Sequence, residues 1–116
     1  MEETRYLVSK YLDNLGMKCT HSGYYYWIDS ITYCLENEIP YIGLHYDMGY
    51  LYRLLSKQNH INKAAIERSL RYAREQIKEL KDKLGVNYKL NNSTFLILLI
   101  KEIKNKENLL KTSYKI

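Results

Sequence analysis

The sequence predicts an all-α fold, a small helical bundle of about five to six helices that contains a helix-turn-helix. Three observations carry that expectation. Apolar residues recur at three- and four-residue spacing through successive segments. One proline, Pro40, and five glycines leave few interruptions. No apolar–polar alternation runs long enough to argue for a sheet. At 116 residues there is material for one core, so residues 1–116 form one domain.

Residues 3–15 read as a first helix, with Tyr6, Leu7, Tyr11, Leu12 and Leu15 near helical spacing and Gly16 as its stop. Ser22 or Gly23 opens a second, with Tyr24, Trp27, Ile28, Ile31 and Leu35 on one side. It ends before Ile39-Pro40, because a residue preceding proline avoids helical geometry. The stretch 40–46 reads as loop or irregular turn. Asp47 is an N-cap for a short third helix, 48–57, that buries Met48, Leu51, Leu54 and Leu55. A polar turn with one apolar plug, Ile61, follows. Asn62 then caps a fourth helix running to about Leu84, with Gly85 beyond it. Asn92, Ser93 or Thr94 caps a fifth that ends near Lys106.

Charge is distributed unevenly. Residues 1–40 carry three basic and six acidic side chains, net −3, whereas 41–90 carry ten and five, and 91–116 five and two. A basic remainder behind an acidic N-terminal third points to a polyanionic partner. No basic region leads into an apolar run at the N-terminus, and the run 95–100 is too short to cross a bilayer. The expectation is a cytoplasmic protein with no membrane partner. Cys19 and Cys34, with His21, do not make up the three or four ligands of a zinc site. No third group orients a Cys–His nucleophile, and no phosphate loop occurs. These features predict neither an enzyme nor a cofactor, and no small-molecule substrate.

A short helix, a tight turn and a longer helix, about 47–84, outline the helix-turn-helix. At 100° per residue, Ile66, Leu70, Ala73, Ile77, Leu80 and Leu84 fall in a stripe about 80° wide that faces the core. Opposite lie Ala64, Arg68, Arg71 and Glu75, flanked by Glu67, Tyr72, Arg74 and Lys78. Arginine matches guanine's major-groove acceptors, and glutamate accepts from the cytosine amino group. Ala64, Glu67, Arg68 and Arg71 are therefore the candidate base contacts, with small Ala64 and Ala65 permitting close approach. Lys57, Asn62, Lys63, Arg74 and Lys78 are the candidate phosphate contacts. The same face also suits a solvated surface with Glu67–Arg71 and Arg71–Glu75 pairs.

The run from Gly23 to Thr32 (Gly-Tyr-Tyr-Tyr-Trp-Ile-Asp-Ser-Ile-Thr), then Ile66-Glu67-Arg68-Ser69-Leu70-Arg71-Tyr72-Ala73, then Asn92-Ser93-Thr94-Phe95, occur in order. Together they resemble the C-terminal effector domain of the master sporulation response regulator of endospore-forming bacteria. The resemblance spans roughly residues 5–108. It implies a helical bundle around a helix-turn-helix that binds DNA boxes near promoters, commonly as dimers, with Glu67, Arg68 and Arg71 facing the major groove. Ala65 stands where the family has a base-reading arginine, and the loop around 39–50 is about three residues longer. The resemblance includes no phosphoacceptor receiver domain.

The expected function is sequence-specific binding of double-stranded DNA by a transcription regulator. The alternative is an interaction protein that keeps the fold, binds no DNA and modulates a related regulator. A homodimer, in solution or induced on DNA, is also expected. On the fifth helix Phe95, Leu96, Leu99, Ile100 and Ile103 span about 140°, which leaves Ile97 and Leu98 outside that arc as a dimer contact.

Overall fold

The computed structural model describes residues 2–37 and 47–114, with side chains through Lys106. The expected irregular stretch 40–46 lies outside the described residues. Six helices are formed: α1 (Glu2–Leu15), α2 (Ser22–Asn37), α3 (Met48–Asn59), α4 (Lys63–Glu75), α5 (Leu80–Leu84) and α6 (Asn92–Tyr114). No strand occurs among the described residues, and none of their helices is long and apolar enough to cross a membrane.

Local chemistry sets most boundaries. Gly16, at φ 98°, takes a conformation that ends α1 at little cost to glycine alone. Asp47 caps α3 by accepting from the Gly49 amide at 3.0 Å. Asn62 caps α4, its side chain accepting from the Ala65 amide at 2.8 Å. The cap of α6 is Asn91, one residue before the expected positions. Its Oδ1 accepts from the Thr94 amide while Thr94 Oγ1 accepts from the Asn91 amide, both at 2.9 Å, a reciprocal capping box. Helix α6 continues to Tyr114 rather than stopping near Lys106. No glycine or proline lies between 107 and 114 to stop it.

The core forms where α2 crosses α4 and the first half of α6. Trp27, fully buried, donates its Nε1–H to the Leu70 carbonyl at 2.9 Å and meets the Phe95 ring edge-on, 4.8 Å between centroids. Ile66, Leu70 and Ala73 are fully buried beneath it. On α1 the buried residues are Val8, Leu12 and Leu15, with Tyr11 half-buried. Tyr6 and Leu7, expected on the core side, are exposed because the inward stripe follows Val8 instead.

Two expectations about the long helices are corrected. The fourth helix stops at Glu75 instead of Leu84, and the chain turns through Gln76–Glu79 into the short α5. Glu79 sits at φ 55°. Bending lets Ile77 and Leu80 both reach the core. Ile97 is fully buried and Leu98 packs half-buried against the core, so they offer no free dimer patch. The first half of α6 packs on the core, and Leu90, with Val86 and Tyr88, brings the preceding segment onto it as well.

Candidate nucleic-acid interface

The α3–turn–α4 unit has a turn of three residues, 60–62. His60 adopts the left-handed conformation, φ 57° and ψ 39°, and reverses the chain out of α3. The turn is tied back by Ser56, whose carbonyl accepts the Ile61 amide at 3.3 Å and whose hydroxyl donates to the Ile61 carbonyl. Ile61 is not a plug: its side chain is exposed, and these backbone bonds hold the turn instead.

With Ile66, Leu70 and Ala73 locked inward, the opposite side of α4 faces solvent. Ala64, Arg68 and Arg71 lie on it exposed, and Glu67 is half-exposed at its edge. The four expected base-contact residues thus share one continuous face. Arg71 Nε donates to Glu67 Oε2 at 2.9 Å, one turn apart. That hydrogen bond and the Glu67 charge raise the already high pKa of Arg71, so it stays cationic. Ala65 is half-buried at the other edge.

The expected phosphate contacts divide. Lys57 at the end of α3, Asn62 at the cap and Lys63 in the first turn of α4 are exposed around the turn. Lys78 is exposed but stands in the turn beyond α4, off its face, because the helix ends at Glu75. Arg74 is corrected outright. Only 8% of it is accessible. Its Nε donates to Asn92 Oδ1 at 3.1 Å and its Nη1 to the Leu90 carbonyl at 3.2 Å. Burial lowers its pKa, partly offset by Glu75 and Glu67. Asn92 in turn donates through Nδ2 to the Tyr52 hydroxyl at 3.1 Å, so the network joins α4, α6 and α3.

Two walls flank the exposed face of α4. On the Glu67 side a groove of about 360 Å³ opens between the N-terminal ends of α3 and α6. Arg71 and Arg74 line it, and so do the carboxylates of Glu67 and Asp47, leaving it balanced in charge. On the Tyr72 side lies the turn that leads into α2. Ser22 Oγ is 3.4 Å from Ser69 Oγ, and the His21 ring meets Tyr72 edge-on at 5.0 Å. Neither wall is evident from the periodicity of the sequence. Gly23 was the available signal for the second, since a glycine inside the first turn of an aromatic-rich helix marks a close approach.

Comparison of the chain with protein-family models, with curated proteins and with solved structures finds no match.

Proposed function

We propose that this protein is a sequence-specific, double-stranded DNA-binding transcription regulator that acts through α3, the 60–62 turn and α4. One observation carries the reading: Ala64, Glu67, Arg68 and Arg71 share the outward side of a short, capped helix whose inward side is locked into the core. A helix is the right width for the major groove, and arginine and glutamate are suited to its base edges. The resemblance of the 66–73 stretch to the sporulation regulator's effector domain supports the same assignment. On this reading the protein works in the cytoplasm, needs no cofactor and performs no catalysis. Two copies on neighbouring boxes are part of the proposal, though not through Ile97 and Leu98. The closed Glu67–Arg71 pair and the charge-balanced groove beside it favour, as a second reading, a protein partner in place of DNA.

A gel-shift against random duplexes, with selection of the bound fraction, separates the two. Binding that weakens steeply with salt and enriches one box is expected. Arg68→Ala and Arg71→Ala should each lose about 1–3 kcal/mol of discrimination without lowering the melting temperature. Leu70→Ala should instead cost about 2–5 kcal/mol of stability, because Leu70 is fully buried. No duplex binding by the wild type at low salt overturns the reading.

A further inference from the structure

The turn between α1 and α2 is pressed onto one flank of α4. A Cβ added at Gly23 would stand 2.0 Å from the Ser69 carbonyl oxygen, so the two helices meet backbone to backbone. The same contact brings Ser22 beside Ser69 and His21 against Tyr72. Lys18, Thr20, Ser22 and Tyr72 are exposed, and His21 is half-exposed. No carboxylate occurs from residue 14 to residue 28, although residues 1–40 as a whole carry net −3. The acid-free stretch is the part of the N-terminal third that borders the exposed face of α4. Asp13, just before it, has its carboxylate engaged by the Tyr24 hydroxyl at 2.8 Å.

We propose that this shoulder (Lys18, Thr20, His21 and Ser22, with Tyr72) seats the sugar–phosphate backbone of one DNA strand, an inference that rests on the DNA reading above. A helix about 10–12 Å across fills a major groove about 12 Å wide. The backbones of the two strands then run past its two flanks and meet whatever surface stands there. On the Tyr72 flank that surface offers an ammonium, hydroxyls and an imidazole, with no carboxylate within the turn to repel a phosphate. The Glu67 flank carries two carboxylates beside its two arginines. The shoulder is therefore the better seat of the two. Contacts of this kind position the protein and read no sequence.

The test uses the whole chain, with Lys18→Gln and Ser22→Asp as probes and Lys10→Gln as control. Lys10 is on α1, where its ammonium lies 5.4 Å from the centre of the Tyr6 ring. Binding to the selected duplex and to a random one is measured across a salt series. Lys18→Gln should flatten the dependence of log affinity on log salt by about one unit on both duplexes, one phosphate contact having been removed. Ser22→Asp should weaken both by about fivefold, as expected for two charges a few ångströms apart in water. Its melting temperature should hold or rise, because a carboxylate suits the first turn of a helix. Lys10→Gln should leave affinity and slope alone. If the wild type binds DNA and both probes retain its slope and affinity, the shoulder is off the DNA while the DNA reading stands. Weakening confined to the selected duplex also overturns the phosphate assignment. Absence of any duplex binding by the wild type removes the DNA reading and this inference together.

Discussion

Arg74 lies on the same helix as Arg68 and Arg71, yet its guanidinium turns inward to the Leu90 carbonyl and the Asn92 side chain. Three residues separate it from Arg71, which rotates it 300° and carries it to the edge where α6 packs. Its charge braces elements of the fold from the wall of the groove beside Glu67. Thr32 shows the opposite balance: its hydroxyl is buried with no hydrogen-bond partner among the described residues. Thr32→Val keeps the shape and removes the orphaned group, and should raise stability by about 1 kcal/mol. Urea unfolding checks this, and a destabilised variant would mean that the hydroxyl is satisfied in solution. His60 is a side-chain-bearing residue in left-handed backbone, a conformation that costs about 1–2 kcal/mol outside glycine. His60→Gly relieves that cost but gives the unfolded chain more freedom. The net expectation in the same assay is a gain of up to about 1 kcal/mol. A loss would show that the imidazole contributes packing not evident from its exposure.

Among the elements, α4 is fixed from three sides. Trp27 holds its Leu70 carbonyl, Asn92 holds its Arg74 and Gly23 lets α2 approach its Ser69 carbonyl. The approach at Gly23 is the least forgiving. A methyl there would meet backbone atoms of Ser69 at 2.0 and 2.7 Å and the Ala73 Cβ at 2.8 Å. Gly23→Ala should cost roughly 3 kcal/mol, near the upper end of overpacking penalties. It should also displace the exposed face of α4 relative to its walls. Thermal unfolding together with duplex binding tests this; an unchanged melting temperature would mean that α2 and α4 stand further apart than described. Helix α5 exists for a related reason: the break at Gln76–Glu79 keeps the apolar residues beyond α4 over the core.

Across the whole molecule, tyrosine does much of the joining. The chain has 13 tyrosines, and several place the ring against the bundle while the hydroxyl bonds at its edge. Tyr24 donates to Asp13, Tyr52 meets Asn92, and the hydroxyls of Tyr33 and Tyr50 are 2.9 Å apart. Burial and the neighbouring Glu102 push Tyr11 up to about 12, and burial also raises Tyr24 and Tyr52. Each such tyrosine keeps its proton in the folded state at a pH where the unfolded chain has released it. Its contribution is therefore fully present below pH 10 and is lost as pH rises toward 12. Denaturant midpoints should fall across that range, and less steeply in Tyr11→Phe. A variant with the wild-type slope would remove Tyr11 from the effect.

The sequence by itself determined the fold class, the starts of α2, α3 and α4, and the outward side of α4. These depend on short-range chemistry: a cap three residues from the amide it accepts, or a glycine at the end of a helix. The stripe of Ile66, Leu70 and Ala73 needs only helical geometry to define both faces, which is why Ala64, Glu67, Arg68 and Arg71 were legible together. Tertiary structure decided everything set by a neighbour in space. Helical periodicity cannot register that the chain breaks at Gln76–Glu79, nor that the first half of α6 packs on the core and buries Ile97. It cannot distinguish an arginine facing solvent from Arg74, because Leu90 and Asn92 are 16 and 18 residues away along the chain. The placement of His21 and Ser22 beside α4 likewise spans some 50 residues of sequence and is fixed only where two backbones touch at Gly23 and Ser69.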